Sequence, residues 1–233
     1  MTAAAGGRAA PPWLRDGAAA AWHEVRAYGA TTWAMASTPA AFAASWWAGT
    51  RAAMNPLAML ATGAALVAGV RQLAMAVLDQ PRPDGLLAGI ASALGPYALY
   101  VATGVLCHLV LAPRPRRPGV GLTDTVAMAL YAGAGPAALA EAIGWLVLSG
   151  LALLGVDVVP VALPVMLGVA FTVFCYVLAS AFGGLHHPSV WRIVLAFGVA
   201  FPVTGLVFGY LDPPGNYGLH WVLSLDGGLR LGL

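Results

Sequence analysis

Apolar residues in this chain come in long blocks, each closed by a short polar or Gly/Pro-rich turn. Five such blocks can be marked: Leu57–Leu78, Leu86–Ala112, Thr125–Leu154, Val158–Phe182 and Trp191–Leu211. A helix needs roughly 20 apolar residues to cross the hydrocarbon of a bilayer, and every block reaches that length. The third block exceeds it, so it is expected to tilt or to break near Gly133–Pro136, as one helix or two. The second is expected to kink at Gly95-Pro96. The pattern predicts an all-α, polytopic membrane bundle of five spans.

Ahead of these blocks the pattern changes. Met1–Gly17 is small-residue and Pro-rich without periodicity, and is expected to be disordered. Ala18–Ala53 interleaves Trp22, Tyr28, Trp33, Phe42, Trp46 and Trp47 with His23, Glu24, Arg26 and Arg51. This is too polar to span a membrane and too aromatic for a free linker. It predicts amphipathic helices, broken near Pro39, that lie at the membrane surface or pack on the cytoplasmic face of the bundle. No apolar signal-peptide core follows Met1–Pro12, so the first span is expected to serve as an uncleaved anchor. After the fifth block, Asp212–Leu233 is a Gly/Pro-rich tail with Tyr217 and Trp221 as interfacial anchors.

Composition sharpens this picture. Of 233 residues, 60% are hydrophobic and only 9% charged, against about 25% charged in soluble domains. The excess apolar surface must face lipid, which makes the bilayer the first partner. A formal net charge of +2 is too small for a nucleic-acid footprint. Cys107 and Cys175 fall inside apolar blocks and read as small packing residues. All eleven basic residues are arginines, which together with the Ala and Gly content points to a bacterial source.

The arginines also orient the chain. With five spans, Arg8, Arg15, Arg26, Arg51, Arg114, Arg116, Arg117 and Arg192 fall on one side, and Arg82 and Arg230 on the other. The positive-inside rule then places the N-terminus in the cytoplasm and the C-terminal tail outside a bacterial inner membrane. The cluster Arg114, Arg116 and Arg117, in the loop after the second span, is the candidate contact for partners or anionic lipid.

Candidate chemistry is sparse. Arg71 and Glu141 are charges inside apolar blocks, where an ionisable group costs several kcal/mol unless paired. They form the candidate intramembrane polar pair. Arg71 can alternatively snorkel towards the end of its span, and Glu141 can be neutral and hydrogen-bonded. His186-His187 lacks the third and fourth ligands of a zinc site. His108 with His186 or His187 could serve as haem axial ligands, but no attachment motif accompanies them. Motifs for intramembrane serine proteolysis, lipid phosphate hydrolysis, nucleotide phosphates and dinucleotides are missing. We therefore expect no enzymatic activity, no metal and no cofactor. Gly133, Gly135, Ala137, Ala138, Ala140 and Gly144 let helices approach closely, for packing or for an oligomer seam.

The stretch Gly121-Leu-Thr-Asp-Thr-Val-Ala-Met-Ala-Leu-Tyr-Ala-Gly-Ala-Gly-Pro136 follows a polar-basic loop. It resembles the Yip-type (Ypt/Rab-interacting) domain of five-span membrane proteins, with Thr125, Tyr131, Ala132 and Pro136 at the family's motif positions. The resemblance covers Thr38 to Tyr210; the eukaryotic Asp-Leu-Tyr-Gly-Pro signature is absent. It implies five spans, a cytoplasmic N-terminus, no cofactor, and a non-enzymatic scaffold that organises membrane or binds protein partners or a second copy. The alternative is a small transporter or channel component working through Glu141 and Arg71, or an accessory subunit of a larger complex.

Overall fold

The computed structural model describes residues 12–78, 85–111, 118–156, 159–186 and 190–211, and these are helical with short connections. The helices are α1 (Pro12–Ser37), α2 (Pro39–Trp47), α3 (Pro56–Val77), α4 (Gly85–Leu111), α5 (Leu122–Ala132), α6 (Ala138–Leu153), α7 (Val159–Leu185) and α8 (Val190–Leu211). A single π-helical turn, Gly133–Ala137, joins α5 to α6. Among the described residues, three helices are long and apolar enough to cross a membrane: Pro56–Val77, Leu122–Leu153 and Gly168–Leu185. The apolar stretches described in α4 and α8, Tyr97–Leu111 and Trp191–Val203, are shorter.

Local chemistry sets the helix ends. Pro12, Pro39 and Pro56 each open a helix, where a missing N–H costs nothing and φ is already helical. Asn55 caps α3 by accepting from the Leu57 N–H at 2.9 Å. Gly155, at φ +75°, ends α6. There Gly155 N–H bonds the Ala152 carbonyl and Val156 N–H bonds that of Leu151, which closes the last turn. One boundary differs from the sequence expectation. The stretch read as disordered up to Gly17 is helical from Pro12, because proline suits a first turn and the run Ala18–Ala21 propagates it.

The third apolar block is one continuous helix, Leu122–Leu153. Pro136 has no N–H to give, and the π-turn absorbs the fault by shifting the ladder one residue instead of breaking it. At 1.5 Å per residue this helix is about 48 Å long, well beyond the hydrocarbon thickness. It forms the axis of the fold. Every side chain from Ala127 to Ala138 is buried, with α1, α3, α4 and α7 packed around it.

Helix α3 does not run beside the whole of this axis. The Tyr131 hydroxyl donates to the carbonyl of Met54, just before α3 begins. Around α5 and the π-turn, α1 packs as well as α3, while α2 lies chiefly against α7. Tyr28, Thr31, Thr32 and Met35 are buried on one face of α1, and Phe42 and Ala43 on α2. Phe42 and Trp46 meet the Tyr131 ring edge-on, with centroids at 5.2 and 5.9 Å. The N-terminal segment is thus packed into the bundle along one face. Its other face, with Trp22 and Trp33, is exposed.

Candidate functional site

Glu141 lies on the first turn of α6 and Arg71 six residues before the end of α3. Arg71 Nη2 donates to Glu141 Oε1 at 2.8 Å, with side chains 16% and 9% exposed. Trp145, one turn further along α6, donates its Nε1–H to the same carboxylate oxygen at 3.3 Å. The Arg71 guanidinium carbon stands 5.9 Å from the centre of the Trp145 ring. Arg71 therefore turns inward to an acid instead of snorkelling. The reason is that a partnered guanidinium avoids the cost of a lone charge in an apolar setting. Arg71 Nε and Gln72 Nε2 are buried without a hydrogen-bond partner among the described residues.

This arrangement has the chemistry of a neutralised pair rather than of an open ion site. Beside it, α6 and α7 enclose a groove of about 260 Å³ lined by apolar side chains that include Ile143, Val147, Val165 and Met166. Neither Arg71 nor Glu141 lines that groove.

Thr125, Tyr131 and Pro136 all lie on the central helix, and all three are buried. Tyr131 fastens the entry to α3 through its 2.5 Å bond to Met54. Pro136 sits inside the π-turn, whose Ala134 carbonyl accepts the Tyr28 hydroxyl at 2.8 Å. Tyr28 has its pKa pushed up to about 12, chiefly by burial, so it stays a donor across the physiological range. Glycines let the neighbours reach this turn. A β-carbon on Gly63 would overlap the Ala134 carbonyl, and one on Gly133 would overlap the Tyr100 ring. The small residues of this segment are thus used in packing within the chain.

Thr125 opens a constellation that the sequence reading had not assembled. Its hydroxyl lies 2.8 Å from His108 Nδ1 on α4 and 3.4 Å from His186 Nε2 just past the end of α7. It also donates to the Gly121 carbonyl at 3.3 Å. The two imidazoles stand edge to face, centroids 6.1 Å apart. The pairing of His108 with His186 was considered only as a haem ligand set. Here the Thr125 hydroxyl occupies the place between their nitrogens. Among the described residues no three His, Cys, Asp or Glu side chains gather as a metal site. The polarity of Thr125 at the head of a buried helix face was the signal available in sequence. The candidate lipid or partner contact Arg114, Arg116 and Arg117, residue His187, and the tail after Leu211 lie outside the described residues.

No protein-family model matches this chain, and no curated protein or solved structure matches it.

Proposed function

We propose that this chain is a non-enzymatic integral membrane protein of Yip type that organises membrane or holds protein partners. In this reading α3, α4, the long central helix, α7 and α8 are its five spans. The N-terminus and the arginine loop face the cytoplasm of a bacterial inner membrane, and the tail lies outside. The exposed face of α1 with Trp22 and Trp33, together with Arg114, Arg116 and Arg117, forms the contact surface for anionic lipid or a partner.

One observation carries the choice of a scaffold over a transporter. The charged pair within the apolar helices is already closed on itself: Arg71 and Trp145 both donate to Glu141, and the groove beside them is apolar. A carboxylate that carried protons or ions would need a polar route to it.

The test uses the tagged, full-length protein. It is extracted in gentle detergent for partner capture, and reconstituted in proteoliposomes for proton and solute flux, as wild type and as Glu141→Gln. Recovered stoichiometric partners, unchanged by the substitution, with no flux above empty vesicles, is the expected result. Flux that the substitution abolishes would replace this reading with the transporter.

A further inference from the structure

The joint at Thr125 has a hydrogen-bonding constraint that assigns its protons. His186 is 1% exposed, and its Nδ1 is buried without a partner among the described residues. A buried N–H with no acceptor costs more than a bare lone pair, so the neutral ring carries its hydrogen on Nε2 and donates it to Thr125. The Thr125 hydrogen then goes to the Gly121 carbonyl or to His108 Nδ1. While His186 is neutral the joint leaves only a bare lone pair, at Nδ1, without a partner. A second proton would create an N–H⁺ at Nδ1 that faces no acceptor.

The joint also ties several elements together. It links the end of α4, the start of α5 and the end of α7, residues separated by 17 and 61 positions in the chain. His186 N–H closes the last turn of α7 on the Phe182 carbonyl at 2.7 Å, and its ring packs edge-on against Phe182. Two residues earlier, the bare backbone of Gly184 receives the Ala40 carbonyl of α2, where a β-carbon would overlap it. A movement of this turn is thus passed directly to α2.

The titratable neighbours can be taken element by element. α4 presents His108 and α5 presents Asp124, whose carboxylate is engaged by the Gly121 N–H at 2.8 Å. α2 and the π-turn contain no titratable side chain. α1 faces the core with Tyr28, held on Ala134, and α6 contributes Glu141, held by Arg71.

We propose that His108, Thr125 and His186 form an acid-releasable clasp: with His186 neutral it fastens α4, α5 and α7, and proton binding at His186 frees the last turn of α7 together with α2. This is a conformational device of the fold and does not depend on whether the protein is a scaffold or a transporter.

Spin labels test it in the full chain in lipid nanodiscs. Cys107 and Cys175 are replaced by Ala, and labels are placed at Ala41 on α2 and Leu109 on α4, both exposed. The label-to-label distance is then measured by pulsed dipolar spectroscopy at pH 7.5 and at pH 4.0. The clasp predicts one narrow distribution at pH 7.5 and a longer, broadened one at pH 4.0, with full reversal on neutralisation. It also predicts that His186→Phe gives the same distribution at both pH values. If that variant is not recovered folded, His186→Gln, which has no titrating group either, makes the same comparison. An unchanged wild-type distribution across this range overturns the proposal. So does an acid response that persists in the variants lacking His186.

Discussion

Gly63 of α3 lies directly against the carbonyl of Ala134, the same carbonyl that takes the Tyr28 hydroxyl of α1. Two helices from different parts of the chain thus converge on one peptide group of the π-turn. Gly63→Ala puts a β-carbon where that carbonyl oxygen stands, so α3 has to move away. Overpacking of this kind costs about 1–3 kcal/mol. Gly69, on the same helix, has open space at its β-position, so Gly69→Ala is expected to be neutral or slightly stabilising. Thermal unfolding of both variants in detergent checks the contrast.

The Arg71–Glu141 pair makes a second prediction. Removal of one partner leaves the other charge buried and uncompensated, so Arg71→Met or Glu141→Met alone should destabilise by about 3–5 kcal/mol. The double substitution removes both charges and should recover most of that loss. A double-mutant cycle on unfolding midpoints measures the coupling. Additive single effects would contradict the 2.8 Å pairing.

Tyr131 and Tyr28 each supply one hydroxyl to a buried backbone carbonyl, those of Met54 and Ala134. Tyr131→Phe keeps the edge contacts with Phe42 and Trp46 but strands the Met54 carbonyl, at a cost of about 1–3 kcal/mol. Because this bond fixes where α3 begins, hydrogen exchange should quicken at Met54–Met59 in the variant and remain unchanged at the far end of α3. Tyr28→Phe should show its exchange effect in the π-turn instead.

Acid should weaken the fold through His186, which lies one residue past the end of α7. Burial, with His108 adding to it, lowers its pKa from the ordinary 6.5 to about 4, and Asp124 opposes this. The native state therefore binds this proton less readily than the unfolded chain. Stability is full above pH 6.5, falls as the pH drops towards 4, and levels off below it. Unfolding midpoints measured from pH 7.5 to 4 should decline more in the wild type than in His186→Phe.

The sequence by itself determined that this chain is helical, with apolar blocks long enough to cross a membrane. Backbone groups in hydrocarbon have no water to bond, so long apolar blocks can only be satisfied as helices. Local signals also placed many ends: Pro39 separates α1 from α2, Pro56 opens α3, and Gly155 closes α6. The Arg71–Glu141 pair was legible because these were opposite charges inside apolar blocks, each costly without the other.

Tertiary structure decided what local pattern cannot encode. Whether Pro136 breaks the third block depends on neighbours that can satisfy a shifted ladder, and the Tyr28 hydroxyl bound to Ala134 comes from 106 residues away. The burial of α1 and α2 follows from the packing of α1 on the π-turn and of α2 on α7, contacts between distant segments that no periodicity reports. The joining of His108, Thr125 and His186 required three helix ends to meet, and only the packing of α4, α5 and α7 brings them to one point.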